Sequence, residues 1–385
     1  MNKSVAIIVG GTGQFGRILT KKLIKKNYKV VVTTRSLSKA KLKVKSNKSL
    51  LLKKLNILID QFPRFQLGDF PTPLHKCKNI EKSLGIKHFY IKRDDLSGLA
   101  FGGNKVRHLE FRIGDVINKD CDIFINSNVK VSNNSRINAA ACVKAGIKYV
   151  VVMGKGPNEE KQGNYLLQKL MNVEIHELDT NNNETIEDYC QELSEKYKKN
   201  GHKPYLRSEH EFAQHSAVLG YISGAIELNQ QINEIKKTNN KIKIYQVAGN
   251  SVVGMAITNI YCDLNWEINA ISPYLDNGLQ EKGIETAEKI SNLLNIDTSL
   301  SKTDINYSFN FVGEDYGILT QGAKDAIKLL ASKESIFLDP IYTAKCMDGL
   351  LNDIYDNKFS NDDVIIFIHS GGTPNIFTYV NDLIL

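Results

Sequence analysis

Residues 99–111 read LAFGGNKVRHLEF, and the fold turns on how that stretch is understood. Two glycines and an asparagine stand directly before Lys105, so the chain bends tightly where it presents an amine, and Leu99–Phe101 upstream are apolar. A lysine desolvated in such a turn gives up its proton more readily than a solvated one, as an amine nucleophile requires. Outward from this point, runs such as HFYIKRDD, CDIFINSN, KYVVVMG, KIKIYQVAG, WEINAIS and DVIIFIHSGG have the apolar, β-branched character of buried strands. They alternate with helical patterns such as INAAACVKAGI, SAVLGYISGAIELNQQI and TQGAKDAIKLLASKE. Strand and helix in alternation predict an α/β fold, with parallel-rich sheets covered by helices.

The chain has 385 residues, enough for more than one domain, and its 42% hydrophobic and 24% charged content is that of an ordinary globular protein. No run approaches the roughly 18 apolar residues of a membrane span. The six cysteines are scattered without a CxxC pair and the eight histidines form no HxxxH cluster, so neither a disulfide framework nor a metal site is expected. Scattered reduced thiols point to a cytoplasmic protein.

Charge is unevenly spread. Residues 1–60 carry fifteen Lys and Arg against the single acid Asp60, which leaves the rest of the chain at −6 within a total of +8. The basic segment lacks the interleaved aromatics of a single-strand nucleic-acid binder, and it reads as a solvated lysine-rich face.

At the N-terminus, IIVGGTGQFG places Gly10, Gly13 and Gly16 between a strand and a helix, with Arg35 ending the next strand, YKVVVTTRS. Glycines so spaced let a backbone approach a pyrophosphate, and Arg35 could meet the 2′-phosphate of NADP. The unit resembles the first β-α-β of the extended short-chain dehydrogenases. Yet the pattern stops near residue 48, without the further repeats of a dinucleotide fold or a matching Tyr-x-x-x-Lys pair. The expected organisation is a Rossmann-like β-α-β extension over residues 1–48 and a main body over 49–385, with a smaller subdomain at about 108–220. The lysine-rich LSKAKLKVKSNKS between them reads as a linker or an exposed helix.

The main body carries a resemblance through several separated pieces in one order. FPTPLHKCKNIEKSLGIKHFYIKRDDLSGLAFGGNKVRHLEF, SNNSRINAAACVKAG, GNYLLQKL, LGYISGAIEL, EDYGILTQGAKDAIKLLASKESIFLDPIYTAKCMDGLL and IIFIHSGGTPNIF run from about residue 60 to 380. Together they closely resemble the 1-aminocyclopropane-1-carboxylate deaminase and D-cysteine desulfhydrase family. These are pyridoxal-phosphate enzymes of the two-domain, tryptophan-synthase-β-like fold. The resemblance implies that Lys105 is the Schiff-base lysine and that Asn104 bonds the cofactor ring oxygen. It casts Ser132 as facing the substrate, Asn133 as gripping its carboxylate, and Tyr316 and Tyr342 as handling protons. Ser370 would stand near the pyridine nitrogen, where a neutral hydroxyl tunes the ring's electron demand. The implied partners are a small amino-acid substrate and a second copy of the chain, in a homodimer.

Three stretches depart from the family at the pocket rim. Where relatives carry a Ser-Gly-Ser-Gly-Gly-Thr phosphate loop, this chain has VAGNSVVGMAI. Gly249, Asn250, Ser251 and Gly254 remain usable, but Val252 and Val253 replace glycines, and β-branched residues resist positive φ. EHEFAQHSAVLGY replaces a Gly-Gly-Ser-Asn turn, and NSNVKVSNNSR brings in Asn126, Asn128, Lys130 and, in place of the usual His or Gln, Asn134. The pocket has then been rebuilt for another amino acid, with Lys130 or Asn128 compensating at a phosphate or carboxylate, or it has lost its cofactor and serves as a binding protein. An NADP-dependent oxidoreductase working through the N-terminal glycines is the third expectation.

Overall fold

The structure, a computed structural model, describes residues 5–9, 29–33, 37–235, 240–275 and 278–384, with side chains from residue 48 onward. The chain divides into two compact units, Met1–Leu55 and Asn56–Leu385. In the first, β1 (Val5–Val9) and β2 (Lys29–Thr33) pair in parallel, Val5 opposite Lys29. Gly10, Gly13, Gly16 and Arg35 lie outside the described residues. The lysine-rich stretch belongs to a helix, α1 (Leu37–Ile59), whose sequence holds no Pro or Gly to break it. Residue 48, the expected boundary, falls inside this helix, and the compact units part at Leu55.

The second unit runs β3 (Leu74–Lys76), α2 (Lys78–Leu84), β4 (Phe89–Lys92), α3 (Lys105–Asn118), β5 (Ile123–Asn128), α4 (Asn133–Ala145) and β6 (Lys148–Met153). It continues with α5 (Gly163–Leu170), β7 (Glu174–Glu177), α6 (Asn183–Lys199), β8 (Pro204–Leu206), α7 (Glu211–Ile235), β9 (Ile242–Val247), α8 (Asn250–Tyr261) and β10 (Trp266–Ile271). Then follow α9 (Leu279–Leu293), β11 (Asn306–Ser308), α10 (Gln321–Glu334), α11 (Thr343–Tyr355), β12 (Val364–Ile368) and α12 (Val380–Ile384).

Six strands form one sheet in the order β11-β10-β9-β12-β4-β3, parallel except for the β3–β4 pair. A second, all-parallel sheet has the order β7-β6-β5-β8. Central strands are buried along their whole length, as β4 and β12 are, because helices cover both faces. On one face of the large sheet Phe89, Ile91, Tyr245, Ile365 and Phe367 pack with Ala323, Leu330, Met347 and Leu350 of α10 and α11. Val106, Leu109 and Ile113 of α3 join Phe124, Tyr149 and Val151 of the small sheet in another cluster. On the remaining face of that sheet Ile125, Val150 and Val152 meet Ile186, Cys190 and Leu193 of α6.

The strand order reverses at β9, whose successors β10 and β11 lie on one side and β12 on the other. Ligands bind in α/β sheets at such a reversal, beyond the carboxyl ends of the strands. Three segments leave those ends together: Ala248–Ser251 after β9, Ser370–Gly372 after β12, and the turns leading to Lys105 after β4. Among the described residues no helix is long and apolar enough to cross a membrane, and no group of three His, Cys, Asp or Glu is arranged to hold a metal ion.

Candidate active site

The two glycines before Lys105 have separate reasons. Gly102 sits at φ 62°, ψ −170°, a conformation open to glycine alone, and a Cβ there would fall 2.0 Å from the Asp95 carbonyl oxygen. Gly103 crosses the segment after β12 so closely that a Cβ on Gly371 would stand 2.6 Å from the Gly103 Cα. The crossing is fastened by Asn104 N–H donating to Ser370 O at 2.9 Å and Gly103 N–H donating to Asp94 O at 3.0 Å. Buried Arg136 donates to the carbonyls of Ala100 and Gly102. Lys105 therefore starts α3 from a fixed point.

From Val106 to Val116 the helix α3 is buried and tied down. Arg107 pairs with Asp94 at 2.8 Å and with Glu227 at 2.9 Å, and Glu110 accepts from Leu67 N–H at 3.0 Å. Burial alone would raise the Asp94 carboxyl, but the Arg107 guanidinium outweighs it and holds the group at about 2. Among the described residues Lys105 has no such partner. Burial first, then the positive charges of Arg112 and Arg207, push its amine down to about 8. A substantial neutral fraction near neutral pH is what a covalent amine or a proton-shuttling base needs.

Lys105 opens into a cavity of about 550 Å³ between the two sheets of the second unit. Asn104, Ser132, Asn133, Gly249, Asn250, Ser251, Tyr316, Tyr342 and Ser370 line it as well. Gly254 does not. It lies one turn into α8, where a Cβ would come within 2.5 Å of Val218 O and 2.8 Å of Tyr221 Cβ, so it serves the close packing of α8 on α7.

The expectation that Val252 and Val253 spoil the phosphate loop is corrected by the backbone. Both are buried residues of α8, and Gly249, at φ 142°, is the only residue from 247 to 254 with positive φ. No left-handed conformation is asked of a β-branched residue, and the N-terminus of a twelve-residue helix points its first N–H groups at this end of the cavity. A Cβ on Gly249 would meet nothing within 4 Å, so the turn is open on that side. Asn104 Nδ2 donates to Ser251 Oγ at 3.2 Å, and His108 Nε2 lies 2.9 Å from the same oxygen. Burial and the charge of Lys105 push the His108 imidazole well below its ordinary range, so it is neutral. An amine able to be neutral, an open helix N-terminus and polar side chains between them fit pyridoxal phosphate.

At the α4 end, Ser132 is the helix N-cap. Its Oγ accepts from Ser135 N–H at 3.2 Å and donates to Asn128 Oδ1 at 2.7 Å. The hydroxyl is thus committed to orienting the helix start. Asn133 Oδ1 accepts from Asn164 Nδ2 at 2.8 Å, which fixes the side-chain amide and leaves its Nδ2, with the backbone N–H groups of the first turn, as donors for an anion. Lys130, one of the two residues expected to compensate at the pocket, is not among its lining residues, and neither is Asn126; Lys130 is paired with Glu159 and, at 3.2 Å, with Glu177. Asn128 and Asn134 do line it.

Tyr316 and Tyr342 share a hydroxyl–hydroxyl hydrogen bond of 2.5 Å, and Tyr274 stacks on Tyr316 with ring centroids 4.8 Å apart. Burial and the neighbouring phenols raise Tyr316 and Tyr342 well above their ordinary range, so both are neutral donors. Sequence reasoning missed Tyr274, His108, Arg112, Arg207 and Gln214, all of which line the cavity. His108 and Arg112 follow Lys105 at i+3 and i+7, a helical face that the sequence does display. Tyr274 ends the strand run WEINAIS-PY, again beyond a carboxyl end.

Comparison with known proteins gives a consistent result. The family model described as "Pyridoxal-phosphate dependent enzyme" matches residues 65–371. A Pyrococcus abyssi protein named "Putative 1-aminocyclopropane-1-carboxylate deaminase" is 31% identical over 332 residues, covering 86% of this chain and 98% of its own length. The D-cysteine desulfhydrase of Salmonella newport is 31% identical over 327 residues, covering 83% of this chain and 97% of its own. A crystal structure described as that of an ACC deaminase homologue superposes with a TM-score of 0.76 at 27% identity, over 86% of this chain and 98% of the other.

Proposed function

The chain belongs to the pyridoxal-phosphate dependent enzymes, and from that premise we propose that it is a deaminase or lyase acting on a small amino acid and releasing a 2-oxo acid and ammonia. The observation that carries the reading is the convergence on one cavity of Lys105, the α8 N-terminus and the Tyr316–Tyr342 pair. Pyridoxal phosphate would be held by Lys105, Asn104, Gly249, Asn250, Ser251 and Ser370, and when bound it supplies an electron sink for charge developing on the substrate.

The chain's own residues do the rest. The α4 N-terminus, set by Ser132 and beginning at Asn133, receives the substrate carboxylate. With its amine near 8, Lys105 can take a proton from a substrate carbon and return it. Tyr316 and Tyr342, both neutral, hand a proton to the departing or ring-opened atom through their shared hydrogen bond. With a thiol leaving group, sulfide accompanies the ammonia. A homodimer and a cytoplasmic location complete the reading, supported by the resemblance and by six free cysteines among the described residues.

The test is turnover of D-cysteine, L-cysteine and 1-aminocyclopropane-1-carboxylate by purified protein with added pyridoxal phosphate, read as 2-oxo acid and ammonia. Formation of both in equal amounts, absent in Lys105→Ala, supports the reading. Turnover that survives Lys105→Ala contradicts it.

A further inference from the structure

The cavity holds more positive charge than that reaction uses. Arg112, 3% exposed, gives Nε and Nη2 to the Ala213 carbonyl at 3.1 and 2.7 Å and Nη1 to Asn138 Oδ1 at 3.4 Å. These are neutral acceptors. Arg207, between β8 and α7, has an Nε closed off from solvent without a hydrogen-bond partner. Among the described residues neither guanidinium lies within ion-pair distance of a carboxylate, whereas Arg107 on the same helix has two. Among the described residues Glu187 is the one carboxylate lining the cavity; it accepts from Ser127 Oγ at 2.5 Å and faces Arg207 only from beyond ion-pair range. Lys155 on the rim is paired with Asp179 at 2.7 Å. Lys105, Arg112 and Arg207 are therefore balanced by a single acid.

Arg112 is buried and Arg207 half-buried; guanidiniums held there without a counter-charge are costly, and the cost is recovered when an anion binds between them. Burial and the repulsion of Arg207 push Arg112 down to about 9, the direction expected of cations awaiting a counter-charge. The cofactor's phosphate already has a cradle at Gly249–Ser251, beside Asn104 and His108. Arg112 lies a further four residues along α3 from His108, or ~6 Å of helix rise. The α4 N-terminus accounts for the substrate's α-carboxylate.

We infer that Arg112 and Arg207 form a second anion subsite, which takes the acidic side-chain group of a dianionic amino-acid substrate: a distal carboxylate, sulfonate or phosphate. Guanidinium forks suit such groups because two parallel N–H donors match two oxygens. The inference rests on the reading of the cavity given above and narrows its substrate class from small amino acids at large to those with an acidic side chain.

Thermal unfolding of the full chain tests it, with succinate against butyrate at matched ionic strength, in cofactor-free and pyridoxal-phosphate-saturated protein. Succinate, with one carboxylate for each subsite, should raise the Tm in both states while butyrate does not. Arg207→Gln should weaken succinate roughly tenfold or more, and Arg207→Lys should restore part of the loss. Equal effects of the two acids overturn the inference, and that comparison needs no variant. Displacement of succinate by pyridoxal phosphate also overturns it, by showing that the pair holds the cofactor's phosphate. Failure to take up pyridoxal phosphate would count against the proposed reaction instead, and the cofactor-free succinate arm would still decide this subsite.

Discussion

Replacing Gly102 by alanine probes the turn that aims Lys105. At φ 62°, ψ −170° a side chain costs ~1–3 kcal/mol in backbone strain. The new Cβ would also lie 2.0 Å from Asp95 O, a backbone atom that cannot swing aside, and relieving that overlap costs a further ~1–3 kcal/mol. Gly85 is the control. It caps α2 at φ 67°, ψ 23°, and a Cβ there meets nothing within 4 Å, so alanine costs only the left-handed penalty of ~1–2 kcal/mol. Urea unfolding of both variants, alongside absorbance titration with pyridoxal phosphate, separates strain from overlap. Gly102→Ala should have the lower midpoint, by an amount equivalent to roughly 1–4 kcal/mol, and should take up cofactor poorly even where it is folded. A midpoint no lower than that of Gly85→Ala, with uptake intact, would refute the argument that this glycine exists to seat Lys105.

Other outcomes follow from the same geometry. Because the Lys105 amine falls to about 8 on folding, its charged form is disfavoured in the native state, and its contribution to stability rises with pH between about 8 and its ordinary value of 10.5. The Tm deficit of cofactor-free wild type relative to Lys105→Met should therefore shrink across that window. Asp94, held at about 2 by Arg107, stabilises the fold above its ordinary value of 3.8 and loses that contribution as pH falls toward 2; Asp94→Ala should cost ~3–5 kcal/mol at neutral pH in urea unfolding. Tyr316→Phe should lower kcat by roughly 10²–10⁴-fold while leaving the absorbance titration with pyridoxal phosphate unaltered. Gly254→Ala should lower the urea midpoint by the equivalent of ~1–3 kcal/mol, through its overlap with Val218 O.

Much of this molecule could be read from the chain because its signals are local. GGNK before a helix, SNNSR at a helix start and IHSGG after a strand each announce a backbone geometry, and the fold brings them to one cavity. The reading of Val252 and Val253 went astray for a physical reason: sequence does not show where a helix begins, and starting α8 at Asn250 turns two supposed loop residues into helical ones. Lys130 misled in a similar way, since its acidic partners Glu159 and Glu177 are distant in sequence and only the tertiary fold supplies them. Arg112 was silent because an arginine at i+7 looks like a solvated helix face until the neighbouring helices bury it. Tyr274 and Arg207 reach the cavity from segments whose patterns mark only the end of a strand or a turn.

The most direct test of the account is an absorbance titration of the purified full chain with pyridoxal phosphate, followed by borohydride reduction and mapping of the modified peptide. The account predicts a saturable visible band that reduction fixes onto Lys105 and that Lys105→Ala lacks. No band at saturating cofactor, or label fixed on another lysine, would contradict it.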